Sequence, residues 1–148
     1  MSTDTTTGTL QLVSFTLGEE EYAFPITQIR EVIRYTPPRS IASDVSWLTG
    51  VISLRGKIVP ICDLAYRLGV TGGDAEGAKI VIVDAGGATI GVTVDELEEV
   101  LTIPLDQIDR IPAGTNELTR GIARIDDRLV ILLEGEGLAF EGLLELDS

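Results

Sequence analysis

The sequence contains no histidine and a single cysteine, Cys62, in 148 residues. Without histidine there is no His-based catalytic triad, no imidazole acid–base chemistry and no histidine-ligated metal. One cysteine leaves no internal disulfide, no Cys-x-x-Cys redox pair and no all-cysteine zinc site. Lysine occurs only at positions 57 and 79, and 11 basic side chains face 24 acidic ones, for a formal net charge of −13. That balance argues against a nucleic-acid partner, whose affinity comes mainly from neutralised phosphates. No apolar run approaches the ~20 residues that span a bilayer, since IVIV ends at Asp84 and LVILL at Glu134. The opening MSTDTTTGT has neither the basic nor the apolar part of a signal peptide. These absences predict a cytoplasmic protein with no direct membrane insertion.

What is present is enough apolar material for a core. The hydrophobic share is 44%, which rules out wholesale disorder despite the charge. Residues 1–9 are Ser/Thr-rich and read as a flexible tail. LQLVSFTL, a turn at Gly18-Glu19-Glu20 and EYAF predict a β-hairpin. Ile26, Ile29, Val32 and Ile33 follow at helical spacing, predicting one or two helical turns that feed a strand near EVIRY. GVISLRGKIVPICDL holds two apolar runs joined by Arg55-Gly56, a tight turn where glycine supplies positive φ. Pro60 lacks an N–H and predicts an edge strand or a bulge. Residues 69–77, GVTGGDAEG, are the best linker in the chain. KIVIVDAGGATIGVTV and GIARIDDRLVILL read as further hairpins turning at Gly86-Gly87 and Asp126-Asp127.

The two halves echo each other. EYAFPITQIREVIRY aligns without gaps on TIGVTVDELEEVLTI, setting Ile29 over Leu97, Glu31 over Glu99 and Val32 over Val100. GVISLRGKIVPI aligns on GIARIDDRLVIL, setting Gly50 over Gly121 and Lys57 over Arg128. One β-rich unit occurring twice in the same order predicts a first barrel over 10–68, a Gly-rich linker over 69–77 and a second barrel over 78–148. Closure into barrels removes exposed edges, and the two would share apolar surface at their junction.

SFTLGEEEYAFPI, REVI, GVISLRGKIVPICDL, IGVTVDELEEVL and DRLVILL, in this order, resemble the CheW family of chemotaxis adaptors. Coverage runs from about Leu10 to Leu133, with Ser53 and Cys62 as small departures. The resemblance implies a single CheW-like domain over 10–146: mainly β, two SH3-like five-stranded barrels packed side by side with short helices. It implies no catalysis and no cofactor. Its partners would be the regulatory domain of the histidine kinase CheA and the cytoplasmic hairpin tip of a chemoreceptor, at membrane receptor arrays.

By the same resemblance, a receptor-binding groove between the barrels draws on Val13, Ile26, Ile29 and Val32, with Leu97, Val100 and Leu101 from the second unit. β-branched apolar residues at such spacing are also common in cores. Glu31 and Arg55 are expected at a receptor or kinase contact, although a surface ion pair alone explains them at ~0–1 kcal/mol. A kinase-binding surface is expected around Trp47, Val51, Ile52 and Leu54. Gly50 and Gly56 are expected to serve backbone geometry.

Other patterns point to nothing sharper. Asp126-Asp127 and DELEE lack the spacing of a calcium loop, and a turn and a solvated helix face explain them. GGDAEG lacks the Gly-Lys-Ser/Thr of a phosphate loop. Cys62, without a histidine to activate it, reads as packed. Two alternatives stay open. One is a CheW-like regulatory domain of a kinase or fusion adaptor, against which the absence of a receiver-like segment after the second unit favours a stand-alone adaptor. The other is a small acidic ligand-binding barrel or hydrolase.

Overall fold

The computed structural model describes residues 8–70, 78–111 and 117–139. Over the first half the strands are β1 (Thr9–Leu17), β2 (Glu20–Pro25), β3 (Ile29–Arg34), β4 (Leu48–Leu54) and β5 (Lys57–Cys62). The second half supplies β6 (Lys79–Ala85), β7 (Ala88–Val94), β8 (Glu96–Pro104), β9 (Ile108–Arg110), β10 (Thr119–Ile125) and β11 (Arg128–Leu133). A short helix, α1 (Leu64–Leu68), is capped by the Asp63 carboxylate, which accepts from the Tyr66 N–H at 3.1 Å, and ends at Gly69 with φ 75°. Of the expected tail over 1–9, Gly8 and Thr9 belong to the fold. Thr9 already pairs with Pro104, and the Gly8 carbonyl accepts from the Leu105 N–H at 3.0 Å. Residues 1–7, most of the expected linker (71–77) and residues 140–148 lie outside the described residues.

The strands form two sheets, ordered β8-β1-β2-β11-β10-β9 and β3-β6-β7-β5-β4. The first closes on itself by a simple device. β8 pairs with β1 at one edge, the chain makes a single 3₁₀ turn at Leu105–Gln107, and β9 pairs with β10 at the other edge. Counting β8–β9 as one bent strand leaves five, as expected for an SH3-like barrel. In the second sheet the chain beyond β3 reaches β4 in the same way. Arg39 and Val51 exchange two backbone hydrogen bonds, at 2.8 and 2.9 Å.

The expected division into one barrel over 10–68 and another over 78–148 does not describe the pairing. The β1–β2 hairpin sits in the sheet built by β8–β11, and the β6–β7 hairpin sits in the sheet built by β3–β5. Each half lends its first hairpin to the other half's barrel. The parallel contacts that result, β2 with β11 and β7 with β5, are equivalent under the internal repeat. The fold class holds, but the two barrels are interlocked.

Side-chain alternation explains how such short strands are buried on both faces. Ala23, Val130 and Leu132 turn into one barrel with Leu12 and Ile103, while Val59, Ile61, Ile80 and Ile82 turn into the other with Ile52. The residues between them, Tyr22, Phe24, Val81, Val83, Ile131 and Leu133, face a third and larger core in the seam. There Phe15 stacks on Phe24 with ring centroids 5.7 Å apart.

Several local expectations are corrected. The helical spacing after Pro25 yields only a 3₁₀ turn, Ile26–Gln28, before β3. In DELEE, the residues from Glu96 on are strand, not helix. β5 is not an edge strand. Pro60 is tolerated because pairing with β7 starts only at Ile61.

Candidate functional site

The seam is not an open groove along its length. Its centre is sealed by Phe15, Tyr22, Phe24, Val83, Ile90 and Val92, each at most 3% exposed. Accessible apolar surface remains at its rims, on the edge strands β3 and β8. Val32 is 37% exposed and Val100 55%. They are equivalent under the repeat, and their cross-strand partners Val81 and Val13 are equivalent too. Ile29 and Leu97 are half-buried against the seam core. Ile26, on the 3₁₀ turn, and Val13 are half-buried as well. Leu101 does not belong with them. It packs with Leu12 and Ile103 inside the barrel, because a bulge in β8 puts Val100 outward and its neighbour inward.

Glu31 and Arg55 meet, as the fold requires at a closing edge. Arg55 sits at the β4–β5 turn with φ 51°, followed by Gly56 at φ 79°, so both turn residues are left-handed as in a type I′ hairpin. Its guanidinium reaches across to β3 and grips the Glu31 carboxylate with two nitrogens, Nη2 donating to Oε1 at 2.7 Å and Nη1 to Oε2. These hydrogen bonds hold the Glu31 carboxyl below its ordinary pKa, against a smaller opposing effect of burial, and raise that of Arg55. The pair is exposed on the arginine side, 71% against 27%. The other barrel has a counterpart. Arg128 donates to Glu99, the repeat equivalent of Glu31, at 2.7 Å, and also pairs with Glu21 at 3.4 Å. The Lys57-over-Arg128 alignment contained this signal, because a cation at that position can reach the bulged strand from the hairpin turn.

The expected kinase surface splits. Val51 and Leu54 line a shallow cleft of about 260 Å³ with Pro37 and Arg39. Ile52 is 8% exposed and belongs to the barrel core, so it forms that cleft's floor only. Trp47 is on the other side of the sheet. It packs against the seam core, under the Arg67 guanidinium 5.8 Å from its ring centroid. A larger open pocket, about 560 Å³, lies at the mouth of the other barrel between Leu10, Pro25, Ile108 and Leu132, with Arg110 and Arg120 on its margin. Nothing in the sequence reading singled it out, because its walls come from β1, β2, β9, β10 and β11, which the chain order keeps apart.

The remaining chemistry is quiet. Burial raises the Cys62 thiol pKa, with Asp63 adding to the effect and Arg67 opposing it. Among the described residues no group of three or more carboxylates or thiols is arranged to hold a metal ion, and no helix is long and apolar enough to cross a membrane.

With this geometry in hand, comparison with known proteins gives a consistent picture. The family model described as "CheW-like domain" matches residues 11–141. The "Probable chemotaxis protein CheW" of Rhizobium etli is 33% identical over 139 residues, covering 90% of each chain. The "Chemotaxis protein CheW" of Klebsiella aerogenes is 32% identical, over 86% of this chain and 80% of that one. Among solved structures, the scaffolding protein TtCheW from Thermoanaerobacter tengcongensis superposes with a TM-score of 0.78 at 31% identity, covering 92% of each chain.

Proposed function

The chain belongs to the CheW-like domain family, and from that premise we propose that it is a non-catalytic chemotaxis adaptor coupling the cytoplasmic tips of chemoreceptors to the histidine kinase CheA. The observation that carries the reading is the extent of the match. It runs from β1 through both interlocked barrels, so the whole scaffold corresponds and not one barrel alone. In this reading the protein works in the cytoplasm, at the inner face of membrane receptor arrays.

The seam rims suit a helical partner. A receptor helix laid across Val32, or Val100 with Val13, withdraws apolar surface from water at roughly 25 cal/mol per Å². Ile29 and Leu97 support these contacts from the partly buried layer beneath. The kinase regulatory domain, itself built on this fold in the family, would meet the cleft of Val51 and Leu54 barrel to barrel. Arg55 and Glu31 occupy the closing edge between β3 and the β4–β5 turn, where either partner can reach the arginine.

Co-purification with receptor cytoplasmic fragments and CheA from the same genome tests the reading. Wild-type protein should retain both, and Arg55→Ala should stay folded while lowering kinase output in reconstituted receptor membranes. Failure of the folded wild type to retain either partner overturns the proposal. Unchanged output from Arg55→Ala removes that residue from the mechanism.

A further inference from the structure

The duplication places equivalent strands, β3 and β8, on the seam rims. They keep the same apolar contact, Val32 and Val100, but differ in the charges around it. On β3, Arg30, Val32 and Arg34 are all exposed, and Lys79 of β6 stands directly opposite Arg34. The equivalent cross-strand pair on the other rim is Thr102 with Gln11, and the equivalent of Arg30 is Glu98. One rim is basic and the other neutral to acidic.

Like charges opposed across two strands weaken a sheet, so the fold gains nothing from setting Arg34 against Lys79. Arg30 has a carboxylate nearby, Asp84 at 3.6 Å. Among the described residues, neither Arg34 nor Lys79 forms an ion pair. In a chain of net charge −13, an acidic segment is repelled over most of the surface, and a local basic rim is where it can settle.

We propose that the Val32 rim receives a helical segment carrying carboxylates beside its apolar contact, and that the sign difference between the rims fixes which way round that segment lies. This rests on the adaptor reading above and specifies the chemistry of the partner's docking segment.

The test measures binding of a labelled receptor cytoplasmic hairpin from the same genome by fluorescence anisotropy, at low salt and at about 0.5 M salt, where screening acts within a few ångströms. The double variant Arg34→Glu/Lys79→Glu should bind about tenfold more weakly at low salt, with most of the difference lost at high salt. A control of equal net charge, Arg110→Glu/Arg120→Glu, alters β9 and β10 of the other sheet and should bind like wild type. Equal weakening by both double variants would mean a bulk charge effect and overturn the proposal. Loss of binding in Val32→Asp with none in Arg34→Glu/Lys79→Glu would leave docking intact and remove the polarity. No binding by the folded wild type would overturn the adaptor reading itself.

Discussion

Gly50 and Gly56 lie in one hairpin and are needed for different reasons. A Cβ at Gly50 would stand 2.2 Å from the Arg39 carbonyl oxygen, a backbone atom fixed by its hydrogen bond from the Val51 N–H. A Cβ at Gly56 would meet nothing within 4 Å, and only its φ of +79° favours glycine. Gly50→Ala should therefore cost about 3 kcal/mol or more through forced displacement, and Gly56→Ala about 1 kcal/mol through the left-handed backbone. Urea unfolding of the two variants checks the order, and a smaller loss at Gly50 would contradict the close approach. The turn glycine was legible from its neighbours. At Gly50 a need for backbone geometry was expected but its cause was not legible, because the segment that crowds it arrives from eleven residues earlier.

Glu31 gives a prediction in pH. Its folded pKa lies below the ordinary carboxyl value of about 4.3. The contribution of the ion pair is thus complete above that value and disappears as pH falls through the lowered one, when Glu31 takes up its proton. The stability difference between wild type and Glu31→Gln should be constant from pH 6 to 8, on the order of the small values of exposed pairs, and should shrink below about pH 4. A difference that grows in acid would contradict the assigned shift.

At the scale of the element, the bulges in β3 and β8 decide which residues face a partner. Before the bulge Ile29 and Leu97 pack on the seam core. After it Ile33 and Leu101 turn into the barrels, while Val32 and Val100 face out. Sequence periodicity marked all of these positions as apolar and could not divide them, since one inserted residue shifts every side chain beyond it to the other face. The buried Ser14 hydroxyl supports the β8 bulge by donating to the Glu99 carbonyl and accepting from the Glu99 N–H, both at 3.3 Å. Two substitutions separate docking from packing. Val32→Asp should weaken receptor binding without changing the urea midpoint. Ile29→Asp should lower stability by about 2 kcal/mol or more, because it places a carboxylate against the seam core. Equal destabilisation by both would mean that Val32 is a core residue.

For the whole molecule, the repeat was readable and its connectivity was not. Aligning EYAFPITQIREVIRY on TIGVTVDELEEVLTI identifies corresponding strands, but nothing in a local pattern says whether a hairpin pairs within its own half or with the other. The apolar runs of β2, β6 and β7 were the available hint, since strands buried on both faces lose the polar alternation of a lone barrel. The exchange makes the halves mutually dependent. Without β6–β7, both β3 and β5 lose a neighbour; without β1–β2, so do β8 and β11. Fragments 1–73 and 74–148, expressed separately, should show no cooperative unfolding transition, and mixing them should restore one. A sharp transition in either fragment alone would mean that a half folds unaided.

The interlocking also orders events on the ribosome. β3, β4 and β5 are synthesised well before the hairpin that completes their sheet, so they leave the exit tunnel as bare edges that must wait until Val94 has emerged. The barrel containing β1 waits longer still, because β11, which pairs with β2, is the last strand made among the described residues. Translation pauses between β5 and β7 would prolong the period in which a nascent chain can be captured by another of its kind.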